Sequence, residues 1–184
     1  VVELTSRDIE IIEFLQKYKC ATTTMLSKLF FPSRHACYKT MSRLYKAKKV
    51  MRTRMVQGSI NCEYIYHVKK LSTQMRHQLT VTWFYYKWSI GHNITSYYIE
   101  KQIGDIVPDA IFTYIENGKQ ITGILEVELS KKGFDYMKYE RFYATRSYLK
   151  YFNEMPSIFI LGNANIPTGL RCNYKVYVID EYLK

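Results

Sequence analysis

The four cysteines, Cys20, Cys37, Cys62 and Cys172, form no CxxC pair and follow no regular spacing. Zinc modules group their thiolates in short pairs, so no zinc site is expected here. Reduced thiols, buried where they fall in helix or strand runs, are expected instead. No apolar run approaches the ~18–20 residues of a membrane span, and no signal-peptide pattern precedes the first helix. A cytoplasmic protein without a membrane partner is therefore expected. Internal repeats and low-complexity segments are also missing. The most informative absence concerns charge. No Asp or Glu occurs between Glu13 and Glu63, a stretch that carries 11 Lys and Arg.

The chain has 184 residues, enough for one large domain or two small ones. Apolar residues make up 47%, sufficient for a sizeable core. Eighteen residues are tyrosine, too many for all to sit in cores, so some belong to surfaces. The net charge is +11 and is unevenly placed: residues 1–88 hold 16 Lys/Arg against 5 Asp/Glu, whereas residues 89–184 hold 11 of each. A basic field confined to one half is the footprint of a polyanion partner.

The basic half reads as three helices and a hairpin over residues 1–70. Thr5-Ser6-Arg7-Asp8 has the form of a capping box, and apolar residues then recur at helical spacing to about Lys19. The Thr22-Thr23-Thr24 cluster opens a short helix, and Pro32-Ser33 ends it and caps a third, from Ser33 to Lys48. Cys37, Met41 and Leu44 form the buried stripe of that third helix. Strand-like runs from Val50 to Val56 and Cys62 to Val68 flank Gln57-Gly58-Ser59, a hairpin signal. Three helices followed by a hairpin is the order of a winged helix-turn-helix.

In that arrangement the third helix is the recognition helix. At 100° per residue, His35, Lys39, Ser42, Arg43 and Lys46 lie opposite the apolar stripe, with Arg34 and Tyr38 flanking them. Long cationic side chains on such a face meet phosphates, and Arg or Lys also reads guanine edges. Arg52 and Arg54 on the hairpin would touch an adjacent groove or backbone. The partner expected is double-stranded DNA. A plain amphipathic helix with a solvated basic face is the alternative for the helix alone.

Residues 71–92 read as a linker helix, with Met75, Leu79, Trp83 and Tyr86 near helical spacing. The rest, 93–184, reads as an α/β layer arrangement, making the whole chain an α+β protein. A short helix is expected from Thr95 to Ile103, two strands from Ile106 to Ile115 and Ile121 to Leu129 joined at Asn117-Gly118, and a long aromatic helix from Phe134 to Phe152. Strands at Ser157–Leu161 and Tyr174–Ile179 complete it. The aromatic helix serves as core or as a homodimer face.

Val107-Pro108-Asp109 and Leu125-Glu126-Val127-Glu128 resemble the PD-(D/E)xK nuclease core, in which acids on adjacent strands bind Mg²⁺ and a lysine orients water. That resemblance implies Asp109, Glu126 and Glu128 as candidate catalytic residues, and Glu100, Asp109 and Glu126 as candidate ligands for Mg²⁺ or Mn²⁺. Position 128 departs from the pattern, being Glu rather than Lys; Lys131, Lys132 and Lys138 are the candidate substitutes. A solvated strand face is the alternative. The four histidines (35, 67, 77, 92) are scattered, so a histidine-metal relaxase centre is not expected.

Taken together, the "LTSRDIEIIEFL" opening, a "HQL" segment, "VPDAIF" and "ILEVELS" resemble the replication-relaxation family of plasmids and other mobile elements, over roughly residues 3–180. The resemblance implies a winged helix followed by a degenerate nuclease-like domain. It also implies a role in replication, DNA relaxation or conjugative transfer, and replication or transfer proteins of the same element as partners. Two other functions remain open: a metal-dependent nuclease or nickase, and a winged-helix transcriptional regulator with a C-terminal dimerisation domain.

Overall fold

The computed structural model describes residues 3–54, 63–130, 133–162 and 164–178. These contain five helices and two sheets, so the protein is of mixed α+β class. They divide into two compact units, one reaching to Tyr86 and the other beginning at Lys87. None of the helices among the described residues is long and apolar enough to cross a membrane.

In the first unit, α1 (Ser6–Tyr18) opens on the capping box: Thr5 Oγ1 accepts from Asp8 N–H at 3.3 Å, and Asp8 Oδ2 accepts from Thr5 N–H at 2.8 Å. Ile11, Phe14, Leu15 and Tyr18 turn inward. A three-residue strand, β1 (Cys20–Thr22), follows at once. It is too short to show periodicity and was not foreseen from the sequence. Thr22 then caps α2 (Thr23–Phe30), its hydroxyl accepting from Met25 N–H at 3.2 Å. Ser33 caps α3 (Arg34–Lys46) in the same way, accepting from Ala36 N–H at 3.2 Å. The expected stripe of α3, Cys37, Met41 and Leu44, is fully buried.

Strands β2 (Met51–Arg54) and β3 (Tyr64–His67) pair antiparallel, and β3 also pairs antiparallel with β1, giving the order β1-β3-β2. The expected turn at Gln57-Gly58-Ser59 lies outside the described residues. The next helix, α4, spans Met75–Gly91. Its residues up to Tyr86 belong to the first compact unit. There Thr82 Oγ1 donates to the Tyr18 carbonyl at 2.8 Å, and the Tyr85 ring lies 4.4 Å from that of Tyr18. The bond to Tyr18 satisfies a carbonyl left over at the C-terminus of α1.

The second unit is built on the five-stranded sheet β4-β5-β6-β7-β8. Its strands are β4 (Asn93–Ile99), β5 (Ala110–Glu116), β6 (Lys119–Glu128), β7 (Ser157–Gly162) and β8 (Tyr174–Tyr177). The first three pair antiparallel, and β6, β7 and β8 pair parallel. Asn117 and Gly118 both take positive φ, 51° and 74°, as a tight two-residue hairpin requires. A parallel pair needs a crossover, and between β6 and β7 it is supplied by α5 (Met137–Ala144) and a 3₁₀ turn (Ser147–Lys150).

Two expected helices are corrected here. The segment from Thr95 to Ile103 begins as strand β4, because its β-branched and aromatic residues pair with β5: Tyr97 faces in and Tyr98 out, with period two. The helix expected from Phe134 to Phe152 is shorter and interrupted. Thr145 Oγ1 bonds back to the Arg141 carbonyl at 2.9 Å, and Arg146 turns left-handed at φ 53°. Its aromatic residues are core: Tyr139 and Phe142 are buried, and Tyr143, Tyr148 and Phe152 pack against the same cluster of Ile111, Ile124, Ile158 and Ile160. Trp88, in the last turns of α4, packs edge-on against Phe112, Tyr114, Phe159 and Tyr177.

Candidate functional site

The outer face of α3 divides into exposed and engaged side chains. His35, Tyr38, Lys39 and Lys46 are exposed. Lys39, Ser42, Arg43, Lys46 and Ala47 line an open depression of about 520 Å³. The two arginines of the helix are committed within the chain. Arg34 Nη2 pairs with Glu63 Oε1 at 2.5 Å, its Nε donates to Tyr38 Oη at 3.2 Å, and its guanidinium lies over the Tyr38 ring.

Arg43 reaches back to α1, where its Nη2 lies 2.6 Å from both carboxylate oxygens of Asp8. The Asp8 side chain is only 1% exposed. Burial alone would raise its pKa, but the hydrogen bonds from Arg43 and Thr5 outweigh burial and hold the carboxyl below its ordinary range. The same carboxylate therefore closes the capping box of α1 and anchors α3.

The hairpin arginines are organised by tyrosines. Arg52 sits between the rings of Tyr45 and Tyr64, 4.1 Å and 4.2 Å from their centroids. Arg54 stacks over Tyr64 at 5.0 Å and donates to its hydroxyl at 2.9 Å, which lowers the pKa of that phenol. Cation–π stacking fixes a guanidinium plane while leaving its charge intact, and such preordering lowers the entropy lost on binding. Tyr45 and Tyr64 were not singled out in the sequence; the high tyrosine count was the signal that surface roles existed.

The carboxylates of the second unit are only partly brought together. Asp109 precedes β5 opposite β6, and its Oδ2 accepts from Val127 N–H at 2.7 Å. Glu126 lies on the sheet face covered by α5. Its Oε1 accepts from Lys138 Nζ at 2.7 Å and from the Tyr139 hydroxyl. Burial raises the Glu126 pKa, against the lowering effect of Lys138 and Tyr139, and the nearby Asp109 charge adds to the rise. Burial, then Glu126, drives the Tyr139 phenol strongly upward.

Lys138 is thus the candidate lysine that meets an acid, coming from a helix rather than the strand. Lys131 and Lys132 lie outside the described residues. Glu128 turns to its own loop, accepting from Ser130 N–H at 2.7 Å. Glu100 is exposed just past the end of β4, at φ 52°, and its backbone N–H donates to the Asp109 carbonyl at 3.1 Å. Among the described residues no three His, Cys, Asp or Glu side chains stand grouped as a metal site. The carboxylates of Asp109, Glu126 and Glu128 accept hydrogen bonds from Val127, from Lys138 and Tyr139, and from Ser130.

Neither a protein-family model nor a curated protein matches this sequence.

Proposed function

We propose that this protein binds double-stranded DNA through its first unit, acting as a winged helix-turn-helix with α3 as the recognition helix and β2–β3 as the wing. The observation that carries the proposal is the outer face of α3: His35, Lys39 and Lys46 are exposed, and the two lysines line an open depression, within a stretch that holds no acid from residue 14 to 62. The order helix, strand, helix, helix, hairpin supports it, as do Arg52 and Arg54, held in place by Tyr64 at the neighbouring strands. The resemblance of "VPDAIF" and "ILEVELS" to the replication-relaxation family supports a setting in plasmid or mobile-element replication, relaxation or transfer, with proteins of that element as further partners.

The test is binding of the full chain to duplex DNA over a salt series. Each phosphate contact contributes roughly −0.9 to the slope of log affinity against log salt, so four or five contacts predict a slope of about −4. A flat salt dependence would remove the phosphate-contact reading. Lys39→Gln and Lys46→Gln should each shallow the slope by about 1. The enzymatic alternative rests on the Asp109–Glu126–Lys138 constellation and is tested alongside. Nicking of supercoiled plasmid with Mg²⁺ or Mn²⁺ that Asp109→Ala abolishes would favour it over pure binding.

A further inference from the structure

Glu63 ends the acid-free stretch and stands immediately before β3. Its carboxylate is not a solvated charge on the rim. Oε1 takes Arg34 Nη2 at 2.5 Å and the Thr24 hydroxyl, and Oε2 accepts from Thr24 N–H at 3.2 Å. The glutamate side chain is 24% exposed and that of Arg34 is 54% exposed. Arg34 is the first residue of α3, beside the exposed cations of that helix.

We infer, on the DNA-binding reading above, that Glu63 is an affinity-setting residue of the interface, which holds Arg34 in the free protein and competes for it with a backbone phosphate of the duplex. A carboxylate and a phosphate ask the same of a guanidinium, two charge-assisted hydrogen bonds to anionic oxygens. Glu63 takes one N–H of Arg34, through Nη2, and Tyr38 takes Nε–H, so Nη1 and the second Nη2 hydrogen stay available to a phosphate. A duplex phosphate that reaches them approaches against the negative charge of Glu63, which already neutralises the guanidinium. The cost is limited, because the guanidinium is more than half exposed and the pair is partly hydrated. Tyr38 also holds Arg34 in the free protein, through the Nε bond at 3.2 Å and the ring beneath the guanidinium.

The experiment compares full-length wild type, Glu63→Gln, Arg34→Gln, the double variant and Glu13→Gln for duplex binding over a salt series. Glu63→Gln keeps acceptor and donor atoms for Thr24 but loses the charge. It should bind about two- to fivefold tighter at low salt, the range expected from releasing an exposed ion pair, with a slope steeper by about 1. In the Arg34→Gln background the same change should tighten binding much less. Glu13→Gln alters net charge equally from an exposed position on α1 and should have the smaller effect. Glu63→Ala is a second variant with the same expected direction, and thermal melts confirm that each protein is folded.

A folded Glu63→Gln protein that binds no tighter than wild type overturns the inference. So does equal tightening by Glu13→Gln, which would reduce the effect to net charge. If neither wild type nor any variant shows salt-dependent binding, the DNA-binding reading itself fails and the inference falls with it.

Discussion

Replacing Arg43 with methionine removes a cation while keeping most of the side chain's length and apolar stem. Asp8 then remains with a side chain 1% exposed and without its guanidinium, whose own side chain is 40% exposed. Removing one partner of a fully buried pair costs about 3–5 kcal/mol. The rim position of Arg43 and the surviving Thr5 N–H bond at 2.8 Å point to the lower side, about 2–3 kcal/mol at neutral pH.

The pH dependence follows from the direction of the Asp8 shift. In wild type, burial pushes the carboxyl up, but Arg43 and Thr5 bring it below 3.8. Asp8 therefore contributes stability that is present above its unfolded pKa of about 3.9 and is lost as pH falls through the lower folded value. Without Arg43 burial dominates, the folded pKa rises, and stability is lost as pH rises through it. The penalty of Arg43→Met should grow between pH ~4 and ~7, and Asp8→Asn in the same background should recover part of it.

Amide hydrogen exchange of α1 and α3 in the full chain is the suitable assay, since unfolding of a chain with two units is not two-state. A penalty below ~0.5 kcal/mol, or one that does not change with pH, would refute the anchoring role of Arg43.

Three further outcomes are expected. Glu126 has a raised pKa, so its contribution to stability is present below its ordinary value of 4.5 and is lost as pH rises through the folded value. Glu126→Gln should therefore melt higher than wild type at mildly alkaline pH, with the difference fading in acid. A lower melting temperature throughout would mean that pairing with Lys138 outweighs burial. At Gly162, where φ is 134°, an added Cβ would stand 1.9 Å from the Glu128 carbonyl oxygen, so Gly162→Ala should cost about 3 kcal/mol or more and strip exchange protection from β6 and β7. Burial pushes the thiols of Cys20 and Cys172 to about 12 and that of Cys37 to about 11. Peptide mapping after iodoacetamide treatment near neutral pH should find these three unmodified until denaturant is added.

Much of the first unit was legible in local signals. Hydroxyl caps at Thr5, Thr22 and Ser33 each bond to a backbone N–H within three residues, so they announce helix starts without reference to the rest of the chain. The burial of Cys37, Met41 and Leu44 follows from helical periodicity alone. The hairpin at Asn117-Gly118 follows from the φ values those two residues tolerate. Where the local pattern was ambiguous, pairing decided. The segment after Gly91 is a strand because β5 offers it a partner, and the aromatic helix is cut short where Thr145 and Arg146 divert the backbone.

The charged side chains divide in the same way. From the sequence alone came the basic half, the acid-free stretch, the candidate face of α3 and the facing acids Asp109 and Glu126. Which cations stand exposed and which are held by acids was decided by tertiary structure. Asp8 lies thirty-five positions from Arg43, and Glu63 twenty-nine from Arg34. Such pairs leave no periodic trace, because an ion pair depends on where two elements meet rather than on spacing along either one. Lys138 reaches Glu126 from α5 for that reason, and Glu63, the acid that ends the basic stretch, becomes the partner of Arg34 only when the chain folds back on itself.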